Sequence, residues 1–396
     1  MKYFKDRKIL FNASLMLFFW SIFDSTISYV TPLVMTQNGL TTTQMGLIYG
    51  SSSISGALFD FILAKFLKSS HFRKVYLAMF AICFVYPLIL WQSKAVWVYL
   101  IAMALWGIYY DLVNFGTFDF VGRETKKDEH AASFGIIDAF KAAGYLVGPL
   151  IAGILIGSLV DVKVFILAWI SLSISLVLYL TLSAATIKSK IEYFKEAVYK
   201  HKNMALELKI WKKLGLSILP ILILMVFLNV YDSFFWTIGP LYAESLKSLH
   251  PLGGLFMSFY IAPSLLVGWF IGNLVKKYGK TRTPFLAFLL GSLVLLLFPV
   301  VKDSPVVLGL VVASSILTSI SFTSVKSRVV DFITNKPQNE KEIEGMGDFS
   351  VNIGYVLGPM VAGFLSDKVG NANSFLVLGI TGTAVSLVLL LRKVDK

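Results

Sequence analysis

The chain has 396 residues, of which 56% are hydrophobic and only 15% charged, with a mean hydropathy of +0.74. A soluble domain carries roughly 25% charged residues, so this deficit means that most of the surface faces lipid. The net charge of +13 does not point to nucleic acid, because the basic residues lie in short loops between apolar runs and form no basic domain. Cys83 is the one cysteine, which leaves no intrachain disulfide and no thiolate zinc site. The four histidines His71, His130, His201 and His250 are scattered and form no HExxH pattern.

A bilayer core of about 30 Å needs roughly 20 apolar residues per helix. On that scale the expected spans lie near 10–34, 44–66, 74–92, 95–119, 133–157, 164–186, 214–242, 253–275, 283–301, 305–327, 346–366 and 373–391. The second and tenth are rich in serine. The basic start Met1–Lys8 leads into an apolar stretch too long for a signal-peptide core, so a retained first span is expected.

Alternate loops differ sharply in charge. Thirty Lys and Arg fall on the side of the N-terminus and five on the other (Lys94, Lys163, Lys247, Lys302, Lys368), with Lys141 inside a span. The positive-inside rule then puts both termini in the cytoplasm. The long basic segment 187–213, with Ile187, Ile191, Phe194, Val198 and Trp211 loosely on one helix face, reads as an amphipathic linker on the membrane surface. A plain solvated linker is the alternative. The expected domains are thus 1–186, the linker 187–213, and 214–396.

The chain repeats itself. Phe23-Asp24-Ser25 followed by Pro32-Leu33 in the first span matches Tyr231-Asp232-Ser233 followed by Pro240-Leu241 in the seventh, 208 residues on. The fifth span carries Asp138, Gly144, Tyr145, Gly148, Pro149 and Gly153, and the eleventh carries Asp348, Gly354, Tyr355, Gly358, Pro359 and Gly363 in the same register, 210 residues on. A duplication of six spans keeps both halves in one orientation about an axis along the membrane normal. Transporters use such symmetry to rock two bundles about a central site.

Twelve spans, a basic central loop and these motifs resemble the major facilitator superfamily across essentially the whole chain. Gly272-Asn-Leu-Val-Lys276-Lys277-Tyr278-Gly279-Lys280-Thr-Arg282 resembles the family's loop after the eighth span, with Lys276 replacing an acidic residue. The matching loop after the second span, ending in Arg73-Lys74, lacks the glycines. Gly144-Tyr-Leu-Val-Gly148-Pro149-Leu-Ile-Ala-Gly153 resembles the fifth-span motif that the family associates with antiporters. The resemblance implies an all-α membrane protein of two six-helix bundles, closest in pattern to the 12-span drug/proton antiporters. It implies a secondary transporter and no enzyme, acting as a monomer in the plasma membrane without a cofactor. Gly279-Lys280-Thr281 mimics the end of a P-loop, but six residues rather than four separate Gly272 from Gly279, and no strand precedes it.

Acids inside spans carry the functional expectation, since each costs about 2.5–3.5 kcal/mol on insertion scales. Asp24 and Asp232 hold equivalent places in the two halves and are expected to meet at the centre as proton-coupling or substrate groups. Trp20, Ser28, Asn229 and Trp236, near them on the same helices, are expected to line the cavity. Asp111, with Gly107 and Asn114 on its face, is a further coupling candidate. Structural acids bonded across helices are the alternative for all three. Asp138 and Lys141, three apart, could neutralise each other. The hydroxyls Ser314, Ser315, Thr318, Ser319, Ser321, Thr323 and Ser324 could line a polar path or bond their own backbone. A cytoplasmic gate is expected from Arg73, Lys74, Asp119 and Arg123 with Lys276, Lys280, Arg282, Arg328 and Asp331, helped by Gly272 and Gly279. It would latch the outward-facing state.

The functional expectation is proton-coupled export of small amphiphilic or cationic compounds, because aromatic faces beside a carboxylate suit lipophilic cations. Proton-coupled import of a neutral nutrient such as a sugar, and a non-transporting sensor of the same fold, are the alternatives. Sodium could replace the proton as coupled ion.

Overall fold

The computed structural model describes residues 2–66, 71–126, 129–157, 159–186 and 204–391. Twelve α-helices follow one another among them: α1 (Lys2–Gln37), α2 (Thr42–Phe66), α3 (Phe72–Gln92), α4 (Val96–Glu124), α5 (His130–Leu155), α6 (Val162–Thr186), α7 (Met204–Leu249), α8 (Phe256–Tyr278), α9 (Thr283–Leu295), α10 (Ser304–Asn335), α11 (Glu340–Val369) and α12 (Asn371–Leu391). Short 3-10 turns precede α8 (Pro251–Leu255) and α11 (Pro337–Asn339). Helix is the expected answer, because hydrocarbon offers backbone N–H and C=O groups no partner outside their own segment. Connections of a few residues force neighbours to run antiparallel, so the ends of α1 and α12 that carry the termini lie at one end of the bundle.

Among the described residues, ten helices are long and apolar enough to cross a membrane, which makes this an integral, multi-pass membrane protein. In α2, Ser51 and Ser52 donate to carbonyls of their own helix at 2.6 and 2.8 Å. One expected span differs. The expected ninth span at 283–301 is shorter as an α-helix. It ends at Leu295 and continues to Val300 as tighter turns closed by bonds such as Leu297 N to Val294 O at 3.1 Å. Residues 187–203 of the expected linker lie outside the described residues. The rest of that segment is helical and continuous with α7, which starts at Met204.

Large apolar side chains such as Leu58, Trp97, Phe118, Val177 and Leu266 are exposed along the helix flanks, where lipid would meet them. Inside, each half is organised about its first helix. α1 packs against α5 and α6, and α7 packs against α11 in the same way. The Gly-Pro repeat explains the closeness. A Cβ on Gly144 or Gly148 would run into the α1 backbone at Phe18 and Ile22, and one on Gly354 or Gly358 into the α7 backbone at Val226 and Val230. Pro149 and Pro359 sit inside their helices, where each removes one backbone hydrogen bond.

Gly358 therefore tolerates no side chain. Gly358→Val is expected to cost about 1–3 kcal/mol through overpacking against Ser233, read as a lower melting temperature in detergent. Gly309, with nothing within 4 Å of its would-be Cβ, is the control: Gly309→Ala should cost nothing and gain about 0.5–1 kcal/mol from helix propensity. Equal tolerance at the two sites would contradict the packing account.

Candidate functional site

Asp24 lies on α1 and is 2% exposed. Its Oδ1 accepts a hydrogen bond from the hydroxyl of Tyr109 on α4 at 2.7 Å, and its Oδ2 one from Tyr145 on α5 at 2.6 Å. Asp232 on α7 has the matching pair: Tyr260 on α8 donates to Oδ1 and Tyr355 on α11 to Oδ2, both at 2.6 Å. Each half thus holds a carboxylate between two phenols. Tyr145 and Tyr355 are repeat-equivalent. Tyr109 and Tyr260 are not, since they come from helices with different places in the two halves.

The chemistry of this clamp is specific. An ionised carboxylate only accepts, while a carboxylic acid must also donate. Both oxygens of both acids already face donors, so a proton taken up on a lone pair that a phenol occupies turns that phenol from donor to acceptor. A change in protonation is therefore also a change in a bond between helices.

The two clamps meet across the halves. Trp236, one turn beyond Asp232 on α7, packs its ring edge-on against Tyr145 with centroids 6.1 Å apart. Tyr110 sits at 41% exposure although its ring lies 6.3 Å from that of the fully buried Trp20. The bundle centre thus opens beside the clamp.

The other expected lining residues behave differently. Ser28 donates to the backbone oxygen of Asp24 at 2.7 Å, and Asn229 donates to that of Met225 at 2.7 Å. Both are nearly buried, so each serves its own helix rather than the cavity. Trp20 is a packing residue, with Tyr109 at 6.3 Å and the Lys141 ammonium 5.8 Å from its ring. Lys141 makes that contact instead of an ion pair with Asp138. Asp111 follows Tyr109 by two positions, about 200° around the helix, and so cannot join the Asp24 clamp. Its carboxylate lies against Gly56 of α2, where a Cβ would come within 2.8 Å of Oδ2. Asn114 is half-buried. The α10 hydroxyls fasten helices together: Ser314 donates to Gly291 O at 2.7 Å, Ser315 bonds Tyr260 O, and Ser321 donates to Pro284 O at 2.8 Å.

At the end of the bundle that carries the termini, the expected gate residues pair within their own halves. Arg123 meets Asp119 at 2.6 Å, and Asp119 also accepts from the Phe72 N–H at 2.6 Å. Lys280 meets Asp331 at 3.0 Å. Arg73 lies against His71, its Nε 3.3 Å from Nδ1. Burial first, then the charges of Arg73 and Arg123, push the His71 imidazole below its usual range, which keeps it an acceptor at neutral pH. Arg328 lies over the ring of Phe332 at 5.4 Å. Arg282 caps α9, and Gly279, with φ of 84°, ends α8 in a conformation that disfavours side chains. Gly272 has open space around it.

The opposite end is where the halves lock. Asp367 of α11 accepts from the backbone N–H groups of Thr42 and Thr43 at 2.9 and 2.7 Å and bonds both their hydroxyls. It caps the start of α2 across the interface. Lys247 of α7 donates to Gly153 O at 2.6 Å and to Ile156 O, at the end of α5. An anion at a helix start and a cation at a helix end both complement the helix dipole. Glu244 accepts from Tyr29 at 3.0 Å. Backbone contacts of Gly46 with Pro359, Gly153 with Gly254, and Gly363 with Thr42 close the seam. Among the described residues, no hydrogen bond joins the halves at the terminus-bearing end.

Sequence reasoning missed the four tyrosines as site residues. For Tyr145 and Tyr355 the signal was present, since they coincide in the repeat. Tyr109 and Tyr260 carry no repeat signal. Lys247, lying at a helix end, read there as an ordinary loop charge, and Asp367 drew no reading at all.

Asp367→Ala should favour opening at the locked end by about 1 kcal/mol, about five-fold in population, the modest figure suiting an exposed site. Spin labels at Lys94→Cys and Lys302→Cys, with Cys83 replaced, would report this as growth of a longer distance. An unchanged distance distribution would contradict the lock.

The model of the Major Facilitator Superfamily matches residues 9–341 and 222–396. No curated protein matches the chain. Among solved structures, an inward-facing, unoccupied bacterial homolog of the human lysosomal transporter Spinster is similar at a TM-score of 0.77 and 12% identity, over 97% of each chain. The nucleoside transporter NupG is similar at 0.71 and 14% identity, over 96% of this chain and 98% of that one. The peptide transporter POT in complex with sulfate is similar at 0.74 and 14% identity, over 97% and 94%. At such identities these likenesses show the fold alone. With the family match spanning nearly the whole sequence, the chain belongs to the major facilitator superfamily and is a membrane transporter of small molecules rather than an enzyme.

Proposed function

We propose that this transporter exports small amphiphilic or cationic compounds in exchange for protons, with Asp24 and Asp232 as the exchanging carboxylates. The observation that carries the reading is the duplicated clamp, in which each acid accepts from two phenols at 2.6–2.7 Å. Proton uptake on a lone pair that a phenol occupies rearranges a bond between helices, which is what coupling requires. Trp236, Tyr145 and the exposed Tyr110 supply aromatic faces beside these carboxylates, the combination that attracts a lipophilic cation.

The loop charges support cytoplasmic termini in the plasma membrane. On that orientation the locked end faces outward and the protein stands open to the cytoplasm, the side from which an exporter loads. Domains at 1–186 and 214–396 joined by the linker 187–213 supply the two rocking bodies, working as a monomer. The pairs Asp119–Arg123 and Lys280–Asp331 would then regroup across the interface when the cytoplasmic side closes.

The test is proton movement in oriented proteoliposomes, acid inside with a pH dye in the lumen, over a panel of lipophilic cations and sugars. Wild type should release protons on addition of a cation, and Asp24→Asn should fall to the protein-free background. Sugar-dependent release with cations silent would replace export by symport. Retention of cation-dependent release in Asp24→Asn would overturn the role of Asp24, and dependence on sodium rather than pH would change the coupled ion.

A further inference from the structure

Tyr145 faces two ways. Its hydroxyl donates to Asp24 Oδ2 at 2.6 Å, and its ring meets Trp236 of the other half at 6.1 Å and 70°. The next residue, Leu146, accepts through its carbonyl from Ser258 of α8 at 3.3 Å. Gly144 and Gly148 on either side press α5 onto α1 so closely that no Cβ fits. The tyrosine is therefore held in register with Asp24 on one side and with the second half on the other.

The second phenol on Asp24 is placed otherwise. Tyr109 is fully buried and packs against Trp20, Phe23 and Tyr86, all of the first half. Both phenols make equivalent bonds to the acid, but only Tyr145 touches the interface.

We propose that Tyr145 is the positioning residue through which the protonation of Asp24 reaches Trp236 and the second half of the protein. The inference rests on the reading of Asp24 as a proton-exchanging group and adds the path by which the exchange is felt. When a proton from water takes the lone pair of Oδ2 that faces Tyr145, that oxygen becomes a donor toward the phenol. Tyr145 keeps its own proton but must swing its O–H away and accept instead. The ring that carries this hydroxyl is the ring Trp236 leans on. The path ends one helical turn from Asp232, so the state of the first acid bears on the clamp of the second.

Other titratable groups around Asp24 are Tyr109 and Tyr110 from α4, Lys141 from α5, Tyr86 and Cys83 from α3, and Tyr49 from α2. The competing sources of a pH response at Trp236 are Asp232, one helical turn away on α7 and held by Tyr260 and Tyr355, and Lys141, whose ammonium lies over Trp20.

The test uses the full chain carrying 5-fluorotryptophan in nanodiscs, without substrate. The fluorine resonance of Trp236 is assigned by its loss in Trp236→Phe and followed as pH is varied. Wild type should show a sigmoidal shift, which Asp24→Asn and Tyr145→Phe should each abolish. Tyr109→Phe, which removes one donor from the same carboxylate, should keep it. A purely structural tyrosine would leave the shift in place in Tyr145→Phe, and that result would overturn the proposal. So would a silent Trp236 in wild type, or a shift that survives Asp24→Asn and so belongs to Asp232 or Lys141. Should Tyr145→Phe fail to fold, Tyr145→His, which keeps a ring and a donor, takes its place and should keep the shift, and its loss there would overturn the proposal. A titrating Trp236 alongside absent proton-coupled transport would count against the exporter reading alone. Coupled transport alongside a silent Trp236 would count against this inference alone.

Discussion

Two carboxylates inside a hydrocarbon-thick bundle are the constraint around which the rest of the structure is arranged. Buried charge is tolerated only where it is paired or fully hydrogen-bonded. Here the partners are phenols, two to each acid, so the fold must bring three helices to one point in each half. α1, α4 and α5 do so at Asp24, and α7, α8 and α11 do so at Asp232. The glycines of the repeat take their place in this scheme. They let α5 and α11 approach closely enough for a tyrosine hydroxyl to reach the acid of the facing helix.

The clamps also link the centre to the ends. α11 carries Tyr355 at the second clamp and, twelve residues on, Asp367 at the seam with α2. α7 carries Asp232 at the centre and Lys247 at the end of α5. A shift of either helix at the clamp is therefore carried along one continuous helix, past Pro359 in α11 or Pro240 in α7, to a lock between the halves. Such an arrangement lets a local event at a carboxylate bear on which end of the bundle is open.

Much of this was legible in the sequence because hydrophobicity and charge act there at long range. The spans follow from runs of apolar residues, and the duplication follows from Asp24 with Asp232 and from Gly144-Tyr145 with Gly354-Tyr355. What the sequence could not show is which side chain answers which. Tyr109 and Tyr260 stand at unrelated places in the two halves, so the repeat could not pair them. Ser28 and Asn229 share a helix face with the acids but turn to their own backbone, an option that short polar side chains always have. Asp111 is as costly an acid as Asp24 by position in its span, yet its place two positions on from Tyr109 aims it at Gly56 instead. The shortness of α9 came from tight turns after Leu295, which apolar composition alone does not announce.

The central claim is that the phenol of Tyr145 stabilises the protein through the carboxylate of Asp24 and not through its ring. A double-mutant cycle in equilibrium unfolding tests it directly. Removing the hydroxyl with Tyr145→Phe should cost about 1.5–3 kcal/mol in wild type, the range for a hydrogen bond to a charged group, and close to nothing in an Asp24→Leu background. The same loss in both backgrounds would mean that the two residues are not coupled, and the account built on the clamp would fail.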